Sequence, residues 1–322
     1  MKTSFKKIGQ FLLLGILVAG CSKNDDGDSP DYVPSASAFA ALRQDALGVQ
    51  TFTFNAEDGV TTFTSAKGVQ FTINGNCLTQ NGNPVSGEVV VKYSEVFDPG
   101  TMLATDKTTM GRMSNGDMAL LISGGEFFIN ATKNGQQLQI SCPMQVIIPT
   151  NLTGGPDSGM SLWDGTFDED GNLEWDQQDR GANGQNGVFV EGANYYAYFS
   201  SFGWTNVDRF YNDPRPKTTI LAEAPEGYNF ENSAIYLHYD GEGSSLAKLD
   251  TYNPVTNQFS EHYGQIPIGL QCHIIFVTED NGQWRYAIKP ATIAANDVHV
   301  FTLAQTTLGT EAQLIAAINA LP

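Results

Sequence analysis

Short runs of alternating apolar and polar residues, separated by tight turns, are the feature that most limits the possible folds. The run Gly87–Tyr93 follows the turn Asn81–Pro84, and the runs Glu126–Ala131 and Leu138–Cys142 flank Asn134-Gly135. Successive side chains of a strand point to opposite faces, so these runs fit a sheet with one buried face, and Asn-Gly favours a hairpin turn. The pattern predicts antiparallel hairpins.

The same pattern of short strands and turns continues to the end of the chain and predicts an all-β protein. The 33 glycines and the 11% of aromatic residues suit many turns and aromatic-rich cores. The chain of 322 residues is longer than one hydrophobic core usually organises. We therefore predict two antiparallel β-sandwich-like domains, over residues 37–187 and 188–322.

Short helices are predicted near both ends of the folded part. In the first, over 34–48, Ser35 or Ser37 can serve as the N-cap and Gly48 can end the helix. In the second, Thr310 as N-cap and Gln313 three residues later form a capping-box pattern. An apolar stripe after Thr310 predicts that this helix packs on a sheet.

The N-terminal segment carries basic residues, a short apolar stretch and a cysteine. Lys2, Lys6 and Lys7 precede the apolar run Phe11–Ala19, which ends in Leu-Val-Ala-Gly before Cys21. The segment resembles a bacterial lipoprotein signal peptide, and the run is too short for a permanent membrane span. The resemblance implies that residues 1–20 are removed and that Cys21 is acylated, so lipid anchors the chain.

A polar, acidic stretch follows Cys21, and we predict a flexible tether over residues 21–36. It resembles the signals that send some lipoproteins to the outer face of a Gram-negative outer membrane. The residues that carry this resemblance are Ser22, Lys23, Asp25, Asp26 and Asp28. The alternatives are a plain solvated spacer and an anchor that faces the periplasm.

Residues 68–149 resemble the ZU5-like β-sandwich segments of exported bacterial proteins in the order of three short sequence motifs. The motifs are Gly68–Ile73, Gly87–Lys92 and Ser123–Ala131. This resemblance implies a scaffold or recognition module. The sequence departs from the usual pattern at Asn74–Cys77, where such segments carry Pro-Ala-Asn-Ala. A shared fold does not by itself transfer a function.

Three cysteines remain after Cys21. An exported compartment permits a disulfide between Cys77 and Cys142, which lie in or beside strand-like runs, while buried free thiols are equally compatible with a β core. Both readings stay open. No CxxC pair or close Cys/His pair occurs, so the spacing does not indicate structural zinc.

The densest acidic cluster is a candidate for calcium binding, with Asp164, Asp168, Asp170 and Asp176 as the candidate ligands. An EF-hand register is excluded, because its first and last ligand positions would fall on Thr166 and Gln177. The alternative is a solvated hairpin tip.

The histidines do not indicate a metal or catalytic site by their spacing. His238, His262, His273 and His299 are far apart, and three of them lie in strand-like runs, which predicts packing on strands. The chain contains no GxSxG, HExxH or GxxxxGKS motif. We therefore predict no cofactor, no metal site and no enzymatic activity.

A polar-aromatic group lies between the two predicted halves and contains Trp204, Asp208, Arg209 and Tyr211. An Arg beside an Asp and aromatic rings can form a pair that holds a domain joint, or it can form the centre of a protein interface. The position of the group favours the joint and leaves the interface as the alternative.

The formal net charge of −18, with basic residues scattered, excludes a nucleic-acid footprint. The prediction is a surface-exposed outer-membrane lipoprotein that acts by binding a protein or polysaccharide, or as an accessory subunit of an outer-membrane barrel complex. The alternative is a glycan-binding or glycan-hydrolysing lipoprotein, with Trp163, Trp175 and the carboxylates between Asp164 and Asp176 as its site.

Overall fold

The computed structural model describes residues 32–178, 187–261 and 263–322. Strands contain 49% of the residues and helices 14%, so the all-β class with short helices is confirmed. None of the described helices is long and apolar enough to span a membrane.

The first group of strands covers Gln50 to Phe210. Its members are β1 (Gln50–Asn55), β2 (Val60–Thr64), β3 (Gln70–Asn74), β4 (Leu78–Gln80), β5 (Asn83–Pro84), β6 (Glu88–Val96), β7 (Met110–Arg112), β8 (Met118–Lys133), β9 (Gln136–Gln137), β10 (Gln139–Ile140), β11 (Met144–Pro149), β12 (Ser161–Phe167), β13 (Leu173–Gln177), β14 (Val188–Glu191), β15 (Asn194–Phe199) and β16 (Gly203–Phe210).

Two sheets of this group enclose the first core. The large sheet has the order β1-β6-β8-β16-β12-β13-β7 with β9 beside β8, and the outer sheet has the order β14-β15-β11-β3-β2. Alternate side chains of both sheets point inward, and Phe71 of the outer sheet stacks on Tyr93 of the large sheet with ring centroids 4.7 Å apart. β10, β4 and β5 form a small third sheet.

The second group of strands forms the C-terminal part. Its members are β17 (Lys217–Thr218), β18 (Leu221–Glu223), β19 (Ser233–Tyr239), β20 (Ala247–Lys248), β21 (Thr251–Asn253), β22 (Gln258–Ser260), β23 (Ile266–Pro267), β24 (Gln271–Asp280), β25 (Gln283–Thr292), β26 (Val298–Val300) and β27 (Thr307–Gly309). The order β20-β19-β24-β25-β27 forms the helix-covered sheet, and β21-β22-β18-β26 packs on its other face. β17 pairs with β23.

Three helices cover the remaining face of the helix-covered sheet: α1 (Ala36–Ala46), α2 (Pro99–Thr105) and α3 (Glu311–Asn319). The capping box of Thr310 and Gln313 is confirmed, and Leu314 and Ile318 of α3 are buried. The side chain of Ser35 caps α1. Single 3-10 turns lie at Ala56–Asp58, Gly75–Cys77, Thr150–Thr153 and Leu303–Gln305.

Two predicted boundaries differ from the structure. β14, β15 and β16 follow the boundary predicted at 187/188, but they pair with β11, β8 and β12 of the first group. The change of sheet partner therefore falls between Phe210 and Lys217. α1 belongs with the C-terminal sheet, because Phe39 packs edge-on against Trp284 at 6.1 Å. These long-range pairings leave no local signal in the sequence.

The N-terminal chain joins the folded body earlier than the predicted tether end at residue 36. The Tyr32 hydroxyl donates to Glu279 at 2.7 Å, and the Asn232 side chain donates to the Pro34 carbonyl at 3.3 Å. These contacts attach the chain to the body before α1 begins.

Candidate functional site

The residues predicted for lipidation and export lie outside the described residues. Cys21, Ser22, Lys23, Asp25, Asp26 and Asp28 all precede Tyr32, the first described residue. The lipid anchor and the export address therefore remain predictions.

Cys77 and Cys142 form a disulfide, whereas Cys272 is a buried free thiol. Cys77 ends the 3-10 turn before β4, and Cys142 lies two residues before the start of β11. The two cysteines are 65 positions apart in the sequence. The bridge therefore closes a long loop across the first sandwich. Disulfides of this kind persist in oxidising compartments.

The calcium candidates do not form a metal site in the described part of the chain. Asp168 accepts hydrogen bonds from the backbone of Asp170 and from Asn172 at the hairpin tip, while Asp176 pairs with Arg112 at 3.1 Å. Asp164 accepts from Gln178 at 2.8 Å. Because the carboxylates of Asp164, Asp168 and Asp176 each accept from their own turn or from a nearby donor, these three side chains act as hairpin contacts.

Successive side chains of β16 point to opposite faces of the sheet, so the residues of the polar-aromatic group do not all lie together. Asp208 is fully buried, whereas Arg209 pairs with Asp157 of a loop at 2.6 Å, so the expected pairing of Arg209 with Asp208 is wrong. Trp204 packs on Phe128 at 5.4 Å and is 9% exposed. The buried Asp208 and Trp204 are closed to a partner.

Tyr211, just beyond β16, contacts both strand groups. Its ring packs edge-on against Tyr239 of β19 at 5.4 Å, and its hydroxyl donates to Asp213 at 3.1 Å. Of the four residues, Tyr211 thus fits the predicted joint.

Asp208 belongs to a buried acidic pair that the sequence did not reveal. Glu126 of β8 is 0% exposed, and neither of its carboxylate oxygens has a hydrogen-bond partner among the described residues. Burial and the nearby Asp208 raise the pKa of Glu126 well above its ordinary value, against the opposing charge of Lys107. Glu126 therefore keeps its proton to a higher pH in the folded chain than in the unfolded chain. Because no substrate can reach it, this pair is structural.

We expect Glu126→Gln to flatten the pH dependence of stability. The unfolded chain releases the Glu126 proton above its ordinary pKa of about 4.3, whereas the folded chain retains it. The contribution of Glu126 to the free energy of unfolding is therefore fully present below that pH, and it falls by about 1.4 kcal/mol per pH unit as the pH rises toward the raised pKa. Urea unfolding at a series of pH values measures the slope.

The amide variant should lose this contribution to the slope. Glu88→Gln, at an exposed position of β6, is the matched control and should keep the wild-type slope. Equal slopes for Glu126→Gln and the wild type would show that Glu126 is ionised in the folded state.

The outer side of the outer sheet carries exposed aromatic rings, and we call it the aromatic face. Phe189 of β14 and Tyr198 of β15 are each 42% exposed, with ring centroids 6.4 Å apart. Tyr196 lies directly opposite Phe189 in the strand register and is half-buried. An open sheet surface with adjacent aromatic rings is typical of a recognition site.

Polar side chains extend the aromatic face across the sheet. Gln145 of β11 lies between Tyr198 and Thr72 in register, and its amide donates to the Tyr198 hydroxyl at 3.1 Å. Thr72 and Thr62 continue the same row and share a hydroxyl hydrogen bond of 2.9 Å. The face therefore combines stacking surfaces with hydrogen-bonding groups.

A separate cleft lies beside the tip of the β12–β13 hairpin. It has a volume of about 550 Å³, and its lining includes the rings of Phe230 and Tyr252 and the carboxylates of Asp170, Glu231 and Asp250. A neighbouring cleft of about 360 Å³ shares Tyr252 with it. Of the acids assigned to a glycan site from the sequence, Asp170 alone lines the larger cleft, while Trp163 and Trp175 are fully buried.

One group of side chains in the described chain has the proximity that a metal ion needs. It consists of His238, Asp240 and His273. The sequence pattern predicts only strand packing for these histidines, because the register that joins His238 and His273 is visible only in the structure.

No model of a known protein family matches the chain, and a search of curated proteins finds no match. The ZU5-like resemblance therefore remains a prediction, and the evidence for function comes from the residues themselves.

Proposed function

We propose that this protein is a lipid-anchored lipoprotein of the outer-membrane surface that acts by binding, without catalysis. The observation that carries the proposal is the aromatic face. The proposed partner is a protein or polysaccharide at the cell surface, or an outer-membrane barrel complex of which this chain is an accessory subunit.

The chemistry of the aromatic face suits recognition. Tyrosine and phenylalanine supply large contact areas and lose little conformational entropy on binding, since each ring has few rotatable bonds. Tyr198 and Phe189 stand on neighbouring strands, so the sheet holds their spacing before a partner arrives. Gln145 and the threonine row can satisfy polar groups of the partner. A preorganised surface of this kind binds without needing reactive groups.

Two further observations support an exported, tethered protein. The Cys77–Cys142 disulfide fits an oxidising compartment. Cys21 precedes Tyr32 by 11 residues, a length that extends to roughly 36–40 Å when straight. With lipid on Cys21, such a tether gives the body reach above the membrane surface.

The test is fractionation followed by co-purification from gently solubilised membranes. We expect Cys21→Ser to move the protein from the membrane to the soluble fraction, because the acyl chains supply its attachment. We expect Phe189→Ser with Tyr198→Ser to lose the co-purifying partner or bound polysaccharide while the protein stays in the membrane and keeps its Tm.

The matched control for the aromatic face is Val255→Ser, since Val255 is 87% exposed in a turn away from that face. It should retain the partner. Membrane retention of Cys21→Ser would contradict the anchor, and an unchanged partner set after loss of both rings would contradict the binding face.

The cleft favours a second candidate, glycan binding with hydrolysis, because its lining combines carboxylates with Phe230 and Tyr252. Incubating purified protein with bacterial and host polysaccharides separates the two candidates. Released sugar, abolished by Glu231→Gln, would replace the binding proposal with the enzymatic one.

A further inference from the structure

Two histidines and an aspartate meet at one end of the helix-covered sheet. His238 of β19 lies directly opposite His273 of β24 in the antiparallel register. Asp240 directly follows β19, two positions after His238. Because side chains two positions apart along extended chain point to the same side, all three side chains share the face that α1, α2 and α3 cover.

The three side chains are close enough to share one ion. The Nδ1 atom of His273 lies 2.7 Å from Oδ1 of Asp240, and Nδ1 of His238 lies 3.9 Å from the same oxygen. One ligand atom from each residue lies within 4.8 Å of the others. Ligand atoms on a tetrahedral zinc ion are about 3.3 Å apart, given Zn–N distances of about 2.0–2.1 Å. Small side-chain shifts therefore suffice.

His238 supplies an independent sign of a missing ligand. Its side chain is only 2% exposed, yet Nδ1 has no hydrogen-bond partner among the described residues. Buried polar atoms of this kind are rare, because losing water without a replacement partner is unfavourable.

We propose that His238, Asp240 and His273 bind one divalent transition-metal ion, with Zn²⁺ as the best match. Two imidazole nitrogens and one carboxylate suit zinc, whereas Ca²⁺ and Mg²⁺ prefer oxygen ligands alone. The ion takes the place of the hydrogen bond between His273 and Asp240.

The surroundings allow an ion to enter and leave one coordination position open. The side chains of His273 and Asp240 are 14% and 22% exposed, so the site is reachable from solvent. Three protein ligands leave a fourth position for water or an external donor. The formal net charge of −18 attracts cations to the protein. The bound ion would join the end of β19 to the start of β24.

The experiment uses the full processed chain in detergent, without a histidine tag and after treatment with a chelator. Titration with ZnCl₂ in a calorimeter should show one ion per chain, and saturation should raise the Tm. CaCl₂ should produce neither effect. Co²⁺ should give the visible absorption of a site with low coordination number.

Asp240→Asn and His273→Gln should each weaken the dissociation constant for Zn²⁺ by at least about 100-fold, because changes outside the ligand sphere alone cost about 10–100-fold. His238→Gln should weaken zinc binding in the same way. Because His238 is buried and its replacement can also affect folding, the variants of the more exposed Asp240 and His273 are the primary test. The Tm of each metal-free variant shows that it folds.

The matched control is His299→Gln. His299 also lies near an aspartate, with Nε2 3.9 Å from Oδ2 of Asp297, but among the described residues it belongs to no group of three potential metal ligands. It should bind zinc like the wild type. Absence of zinc binding by the wild type, or equal binding by Asp240→Asn and His273→Gln, would overturn the proposal.

Discussion

Replacing Asp106 with asparagine should lower the free energy of unfolding by about 3–5 kcal/mol, the usual cost of removing one member of a buried ion pair. Asp106 accepts hydrogen bonds from Arg43 at 2.8 Å, Lys248 at 3.0 Å and the Tyr236 hydroxyl at 2.5 Å. Without the carboxylate, the largely buried side chains of Arg43 and Lys248 lose the ion-pair partner that they share. Urea or guanidinium unfolding at neutral pH measures the loss.

The Asp106→Asn substitution removes the charge and leaves the backbone conformation unchanged, so it measures the effect of the charge alone. Asp106 ends α2 in the left-handed region at φ 55°, and asparagine adopts that region readily. The matched control is Asp157→Asn, whose carboxylate is 33% exposed and pairs with Arg209. Ion pairs at the surface contribute about 0–1 kcal/mol, so the control should lose little.

The pH dependence gives a second check on Asp106. Burial alone would raise the pKa of Asp106, but Arg43 and Lys248 hold it well below its ordinary value. The stability that Asp106 contributes is therefore present above about pH 4 and is lost as the pH falls below that. The gap between wild type and Asp106→Asn should narrow in acid. A gap of less than 1 kcal/mol at neutral pH would show that the network contributes no more than a surface pair.

Removing the disulfide by Cys77→Ala with Cys142→Ala should cost about 4 kcal/mol of unfolding free energy. The bridge spans 65 positions, and closing a loop of that length restricts the unfolded chain by about this amount. Denaturant unfolding under non-reducing conditions measures the difference. Adding a reductant should lower the midpoint of the wild type toward that of the double variant.

The matched control for the disulfide is Cys272→Ala. Cys272 is a buried free thiol, so this variant loses one sulfur atom from the core but no cross-link. It should remain clearly more stable than the double variant and should respond to reductant as the wild type does. A wild type that is insensitive to reductant would contradict a stabilising role for the bridge.

Several elements of the fold were predictable because their signals are local. β6 follows from alternation after a turn, and the β12–β13 hairpin follows from two apolar runs around Asp168–Asn172. α3 follows from its capping box and apolar stripe. Each signal lies within one turn or one strand length, so residues that are neighbours in the sequence are sufficient to predict the element.

The candidate sites were harder to predict from the sequence, because the alternation of a strand does not show which of its two faces is exposed to solvent. In β15 the residues Tyr195 and Phe199 point inward, while Tyr196 and Tyr198 point outward, yet both sides are aromatic. The sequence alone could not select the aromatic face. In the metal candidate, the spacing of His238 and Asp240 was visible, but His273 joins them only through the register of β19 and β24.

The order of residues alone determined the strand class, the turns and the helix caps, because these depend on backbone preferences and on side-chain alternation over a few positions. The tertiary structure alone decided that β14–β16 complete the first sandwich and that α1 packs on the C-terminal sheet. It also brought Asp106 between Arg43 and Lys248. These contacts join residues far apart in the chain, and their energies depend on burial, which no local pattern specifies.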